Sequence, residues 1–150
     1  MAITKLVSDS LGTGVGGKVL QVVSSGEATP ATINSTSYVL SISLAITPTS
    51  TSNKILIEFT GQYQQDDANG YTSSTKLTRT VGGTETTIFD QSTGTDSSDG
   101  AAYFSPNYVK LDEPNTTSEV TYKIYGKTAN SGSDWRSKPH TMLNAFEILG

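Results

Sequence analysis

No cysteine occurs among the 150 residues, so neither disulfides nor thiolate metal sites hold this chain together. Stability has to come from packing, ladder hydrogen bonds or association. There is a single histidine, His140, which excludes polyhistidine metal sites and leaves a Ser-His-Asp triad only if that one imidazole is its base. No G-x-S-x-G elbow accompanies it, and directly after Pro139 it reads as a turn residue at a strand entrance. Basic residues are few: ten Lys and Arg lie scattered among fourteen Asp and Glu, for a net charge of −4 and a pI near 4.8. Gripping nucleic acid requires cations gathered on one face to displace counterions, so that partner is not expected. Long apolar runs are missing as well, which leaves no membrane insertion and no readable export signal. Apolar residues reach only 34%, against about 45–50% (Gly included) in ordinary domains, and nowhere do they fall at helical spacing.

What the chain does contain is alternation. Tyr38, Leu40, Ile42, Leu44 and Ile46 share one parity, Val39, Ser41, Ser43 and Ala45 the other, and period two over nine residues is a strand. After TPTSTSN, Lys54-Ile55-Leu56-Ile57-Glu58-Phe59 repeats the pattern, as antiparallel sheets do. Ser and Thr supply 43 residues, Thr suiting a half-buried pleated surface and Ser the turns. Strands are expected at 18–24, 36–46, 53–63, either side of Asn69-Gly70, either side of Gly82-Gly83, at 102–105, 108–111, 119–125 with Val120, Tyr122 and Ile124 inward, and at 141–149. In the last strand Met142, Phe146 and Ile148 share one face and Leu143, Ala145 and Leu149 the other, predicting a central strand covered on both sides. Residues 90–101 and the stretch TANSGSDWRSKP, which holds Trp135, are expected as exposed loops. One domain with an arm follows: a flexible arm or linker over 1–17, rich in Gly12, Gly14, Gly16 and Gly17, and an all-β antiparallel sandwich of about eight strands over 18–150, jelly-roll-like in preference to immunoglobulin-like.

Chemistry is harder to assemble. Gly12 to Gly17 matches G-x-G-x-x-G, and Gly12 to Lys18 fits a phosphate-loop spacing, but a β-rich VLQVV follows where a helix is needed and Val19 replaces the magnesium-binding hydroxyl. The match is read as linker. Asp66-Asp67 lacks an apolar pocket to keep one carboxyl neutral and is read as a solvated hairpin tip. Asp90, Asp96 and Asp99 lie in one stretch that a calcium ion would suit, though the spacing fits no EF-hand and a solvated loop is preferred. Tyr63, Tyr71, Tyr103 and Trp135, near loops or strand ends, are candidates for stacking against a host-surface glycan, with packing at an interface or under a loop the favoured alternative. The sequons at Asn34 and Asn115 arise easily in so hydroxyl-rich a chain. No catalytic residue, metal ligand or cofactor is assigned, and an enzyme is not expected.

Three segments carry a resemblance: Gly17-Lys18-Val19-Leu20-Gln21-Val22, SLAITPTSTSNKILIEF from Ser43 to Phe59, and TMLNAFEIL from Thr141 to Leu149. Together they resemble jelly-roll modules of tailed-bacteriophage virion proteins, of the capsid decoration or tail-fibre head type. The resemblance implies a non-enzymatic virion surface protein, made in the host cytoplasm, that assembles as a homotrimer. With only about 17 residues before the module, a decoration (cement) protein is expected, its arm laid on the major capsid protein or other virion proteins through Ile3, Leu6, Val7 and Leu11. The alternatives are a tail-fibre or receptor-binding tip and a carbohydrate-binding module that would use Tyr71, Tyr103 and Trp135.

Overall fold

The computed structural model describes residues 18–26, 32–66, 72–94, 102–105, 107–129, 134–137 and 141–150. The expected arm, Tyr71, the Asn69-Gly70 turn, Asp67, Asp96, Asp99 and His140 lie outside them. All regular structure among the described residues is strand: β1 (Val19–Gly26), β2 (Thr32–Ile33), β3 (Val39–Ile46), β4 (Lys54–Thr60), β5 (Tyr63–Asp66), β6 (Thr72–Val81), β7 (Thr84–Gly94), β8 (Ala102–Phe104), β9 (Asn107–Asp112), β10 (Val120–Thr128), β11 (Asp134–Ser137) and β12 (Met142–Ile148).

They form three antiparallel sheets, in the orders β1-β12-β4-β9, β3-β10-β6-β7 and β2-β11-β5-β8. The third sheet repeats the first, because β2, β11, β5 and β8 are the chain neighbours of β1, β12, β4 and β9. The four joining segments, 27–31, 61–62, 105–106 and 138–141, contain Pro30, Gly61, Pro106 and Pro139. Proline has no N–H to give a ladder, so its presence in three of the four joining sequences fits a division of the sheet between them. Gly61 serves the division differently: a Cβ there would stand 3.1 Å from Thr141 Oγ1, and Thr141 is fully buried.

With each joined pair counted as one long strand, eight strands remain, and the first pairs with the eighth, the second with the seventh, the third with the sixth, the fourth with the fifth. That nested pairing is the jelly roll. The expected sandwich and the C-terminal strand at its centre are therefore present, the eight strands being drawn from twelve segments.

Alternation places Ile42, Leu44 and Ile46 of β3, Ile55, Ile57 and Phe59 of β4, Leu77 of β6, Val120, Tyr122 and Ile124 of β10, and Leu143 and Ala145 of β12 in one core. Each buried aliphatic contributes about 1.5–3 kcal/mol of transfer free energy. An aromatic chain continues it, with Phe59 stacked on Tyr108 at 6.0 Å, Tyr108 against Phe89 at 4.6 Å, and Tyr63 beside Phe59 at 5.9 Å. Toward the third sheet the filling turns polar: Ser73, Thr75, Thr128, Ser137 and Thr141 are buried there, so hydroxyl side chains fill what a richer sequence would fill with leucine.

Several expectations need correction. Leu40 is 46% exposed, because the β3–β10 register slips between Ile124 and Tyr125 and the extra residue turns the end of β3 over. Asp90 is not in a loop, since β7 runs to Gly94, and Trp135 is in β11, registered with Ile33 and Gln65. Asp66 ends β5 and so belongs to a strand, not a hairpin tip. In β12 the buried parity is Leu143, Ala145 and Glu147, with Leu149 beyond the strand and 54% exposed; the other face is only half covered. Gly82-Gly83 is the expected tight hairpin: φ values of +55° and +83° are the two positive angles of a type I′ turn.

Candidate interaction surfaces

The outer face of the β1-β12-β4-β9 sheet carries an apolar row across all four strands. Register sets Val22 beside Phe146, Phe146 beside Leu56, and Leu56 beside Leu111. Val22 is 54% and Leu111 47% exposed, while Phe146 and Leu56 are half-buried between them. Val109, exposed by 66%, widens the row at the β9 edge, and Val19, registered with Ile148, widens it at the β1 edge. Asn144 and Glu58 flank it in the next row, and a Lys54–Glu113 ion pair at 2.7 Å closes the far side. The salt bridge holds the Glu113 carboxyl below its usual range. This face thus carries an outward apolar row with a polar border, where solvated sheet faces ordinarily carry polar side chains.

Behind that face, the three resemblance segments meet at one carboxylate. Glu147 is fully buried; its Oε1 accepts from Thr49 N at 2.6 Å, Thr49 Oγ1 at 2.8 Å and Asn53 Nδ2 at 2.6 Å, and its Oε2 accepts from Gln21 Nε2 at 2.8 Å. Gln21 also donates to Thr47 O at 2.7 Å, and Gly150 N donates to Asn53 Oδ1 at 3.3 Å. Burial alone would raise the Glu147 carboxyl, but the bonds from Asn53, Thr49 and Gln21 outweigh it and hold it below the ordinary glutamate value. So the opener, the ITPTSTSN turn and the closing strand form one physical unit, whose function is to fix the β3–β4 crossing and the C-terminus.

A second tie joins the two sheets. Arg79 of β6 reaches across to Asp112 of β9 with Nη1 at 2.9 and 3.0 Å from its two oxygens, and Tyr122 donates its hydroxyl to Asp112 Oδ2 at 2.7 Å. Burial first, and then the Asp112 carboxylate, push the Tyr122 phenol far up, so it remains a donor.

Of the aromatics named for glycan stacking, Tyr71 lies outside the described residues and the other three lie in strands, Tyr63 in β5, Tyr103 in β8 and Trp135 in β11. Tyr63 is fully buried in the core. Trp135 is registered with Ile33 and Gln65 and Tyr103 with Gln64, with β5 lying between their strands β11 and β8. Asp90 accepts a hydrogen bond from the Tyr38 hydroxyl. Among the described residues no group of three or more His, Cys, Asp or Glu could hold a metal ion. The apolar row had a signal in the sequence: VLQVV, KILIEF and TMLNAFEIL each place apolar residues on both parities.

No protein-family model matches the chain, and no curated protein matches it. Among solved structures it is similar to a chain from the structure of infectious bursal disease virus, Gx strain, with 13% identity and a TM-score of 0.38 over 89% of this chain and 32% of that one. This chain thus spans about a third of the length of that neighbour, which is viral and is not a tailed-phage module. The jelly roll itself rests on the strand pairing.

Proposed function

We propose that this chain is a non-enzymatic structural protein of a bacteriophage virion, a trimeric decoration protein of the capsid surface attached through residues 1–17. The observation that carries the reading is the Val22–Phe146–Leu56–Leu111 row, which gives the sheet an outward face suited to a neighbour. A chain poor in apolar residues and without disulfides gains most by covering such a face with identical copies. The meeting of all three resemblance segments at Glu147 supports the module-level likeness, since they are parts of one hydrogen-bonded unit.

Attachment is assigned to Ile3, Leu6, Val7 and Leu11, which supply the apolar anchors ahead of β1. Deleting residues 2–16 is expected to leave the far-ultraviolet circular dichroism of the sandwich intact while the protein disappears from purified particles. Incorporation of the truncated chain at the full-length level would overturn the arm's role.

A further inference from the structure

The opposite outer face, that of β3-β10-β6-β7, gathers two ammonium groups on one aromatic ring. Lys76 Nζ stands 4.4 Å and Lys127 Nζ 4.5 Å from the centre of the Tyr38 ring, and Lys76 is also 4.9 Å from the Tyr125 ring. The Tyr38 ring is held in place: its hydroxyl donates to Asp90, and Ser74, itself 2.9 Å from Ser92, lies on the same oxygen. Burial, and then Asp90, push the phenol up to about 12, so it is neutral at any physiological pH. Elsewhere on this face Lys123 is matched by Glu85 at 2.9 Å. Around Tyr38, by contrast, two lysines face one carboxylate, and that carboxylate is already engaged by the phenol. A local excess of positive charge in a chain of net charge −4 attracts an anion and is relieved by one.

The surroundings say what kind. Next to Tyr125 in the register lies Leu40, turned outward by the β3 bulge and 46% exposed, so a ring and an aliphatic side chain make a small apolar floor beside the ammonium groups. We propose that Tyr38, Leu40, Lys76, Tyr125 and Lys127 form a binding site for an acidic saccharide, whose carboxylate or sulfate pairs with the lysines while a sugar ring lies on Tyr125 and Leu40. An acidic peptide would use the ammonium groups and leave the floor idle. The site stands independently of where on a particle the chain resides.

Calorimetric titration of the full chain with a galacturonate hexamer, a sulfated dextran oligomer, unmodified dextran and poly-glutamate tests this. Binding of either acidic sugar is expected, weakening as salt is raised, with whichever is tighter identifying the anion. Lys76→Gln with Lys127→Gln should weaken it at least about 10-fold, or about 1.4 kcal/mol, through the loss of charge-assisted contacts. Tyr125→Ala should weaken it about 5-fold or more, consistent with one lost stacking contact of about 1 kcal/mol. All of these positions are on the outer face, so unchanged melting temperatures serve as the folding control. No binding of either acidic sugar, equal binding by the double variant, or equal binding of poly-glutamate or plain dextran would each overturn the assignment.

Discussion

Replacing Glu147 by alanine is expected to lower the free energy of unfolding by about 3–5 kcal/mol, read from urea denaturation at neutral pH. The substitution strands donors that now converge on one carboxylate, Asn53 Nδ2, Thr49 N, Thr49 Oγ1 and Gln21 Nε2, and leaves a cavity where they met. Glu147→Gln preserves the volume but turns an amide N–H₂ toward at least one of those donors, so it is expected to cost about 1.5–3 kcal/mol. The pH dependence has a definite sign. Glu147 is held below its ordinary value of 4.5 in the folded protein, so the folded state binds the proton more weakly than the unfolded chain does. Its contribution is fully present above about 4.5 and fades as pH falls through the lower, folded value, so the gap between wild type and Glu147→Gln should narrow on acidification through that range. A loss under about 1 kcal/mol for the alanine variant would mean that the carboxylate does not hold the three segments together.

The double variant Val22→Lys, Leu111→Lys is expected to convert a trimer into a monomer. Light scattering of the wild-type chain should give a mass near three times 15.8 kDa, and that of the variant the single-chain value. Both positions project from the outer face, so in a free subunit the new lysines are solvated and the unfolding midpoint should move little. In an assembled one they would be buried against apolar neighbours, at a cost of several kcal/mol for each unpaired charge. A variant that retains the wild-type mass would place the subunit contact elsewhere.

The parts of this fold legible in the sequence are those whose strands alternate apolar and polar residues against a single core. Ile55, Ile57 and Phe59, or Val120, Tyr122 and Ile124, announce their inward face without help. Illegible were stretches made mostly of hydroxyl and charged residues: the DQSTG end of β7 and DWRS of β11 have no apolar period, so their strand character comes from the partners they pair with. Parity failed at Leu40 because a one-residue bulge in a ladder leaves no mark in a single strand's sequence. Glu147 was hidden for a related reason, since a carboxylate at an inward position looks like an interruption until Asn53, Thr49 and Gln21 are brought to it from distant segments. The Tyr38, Lys76 and Lys127 cluster is likewise a product of pairing, drawn from the approach to β3 and from β6 and β10. By contrast, the apolar row was written in plain sight, in the runs where neighbouring residues of both parities are apolar.

The proposed role requires that the outer face of β1-β12-β4-β9 meet neighbouring copies on a particle. A density map of the intact virion tests that directly. Clusters of three jelly rolls on the capsid, with Val22, Phe146, Leu56 and Leu111 turned into the subunit contacts, are the predicted result; a map in which this face lies open to solvent in every copy would contradict it.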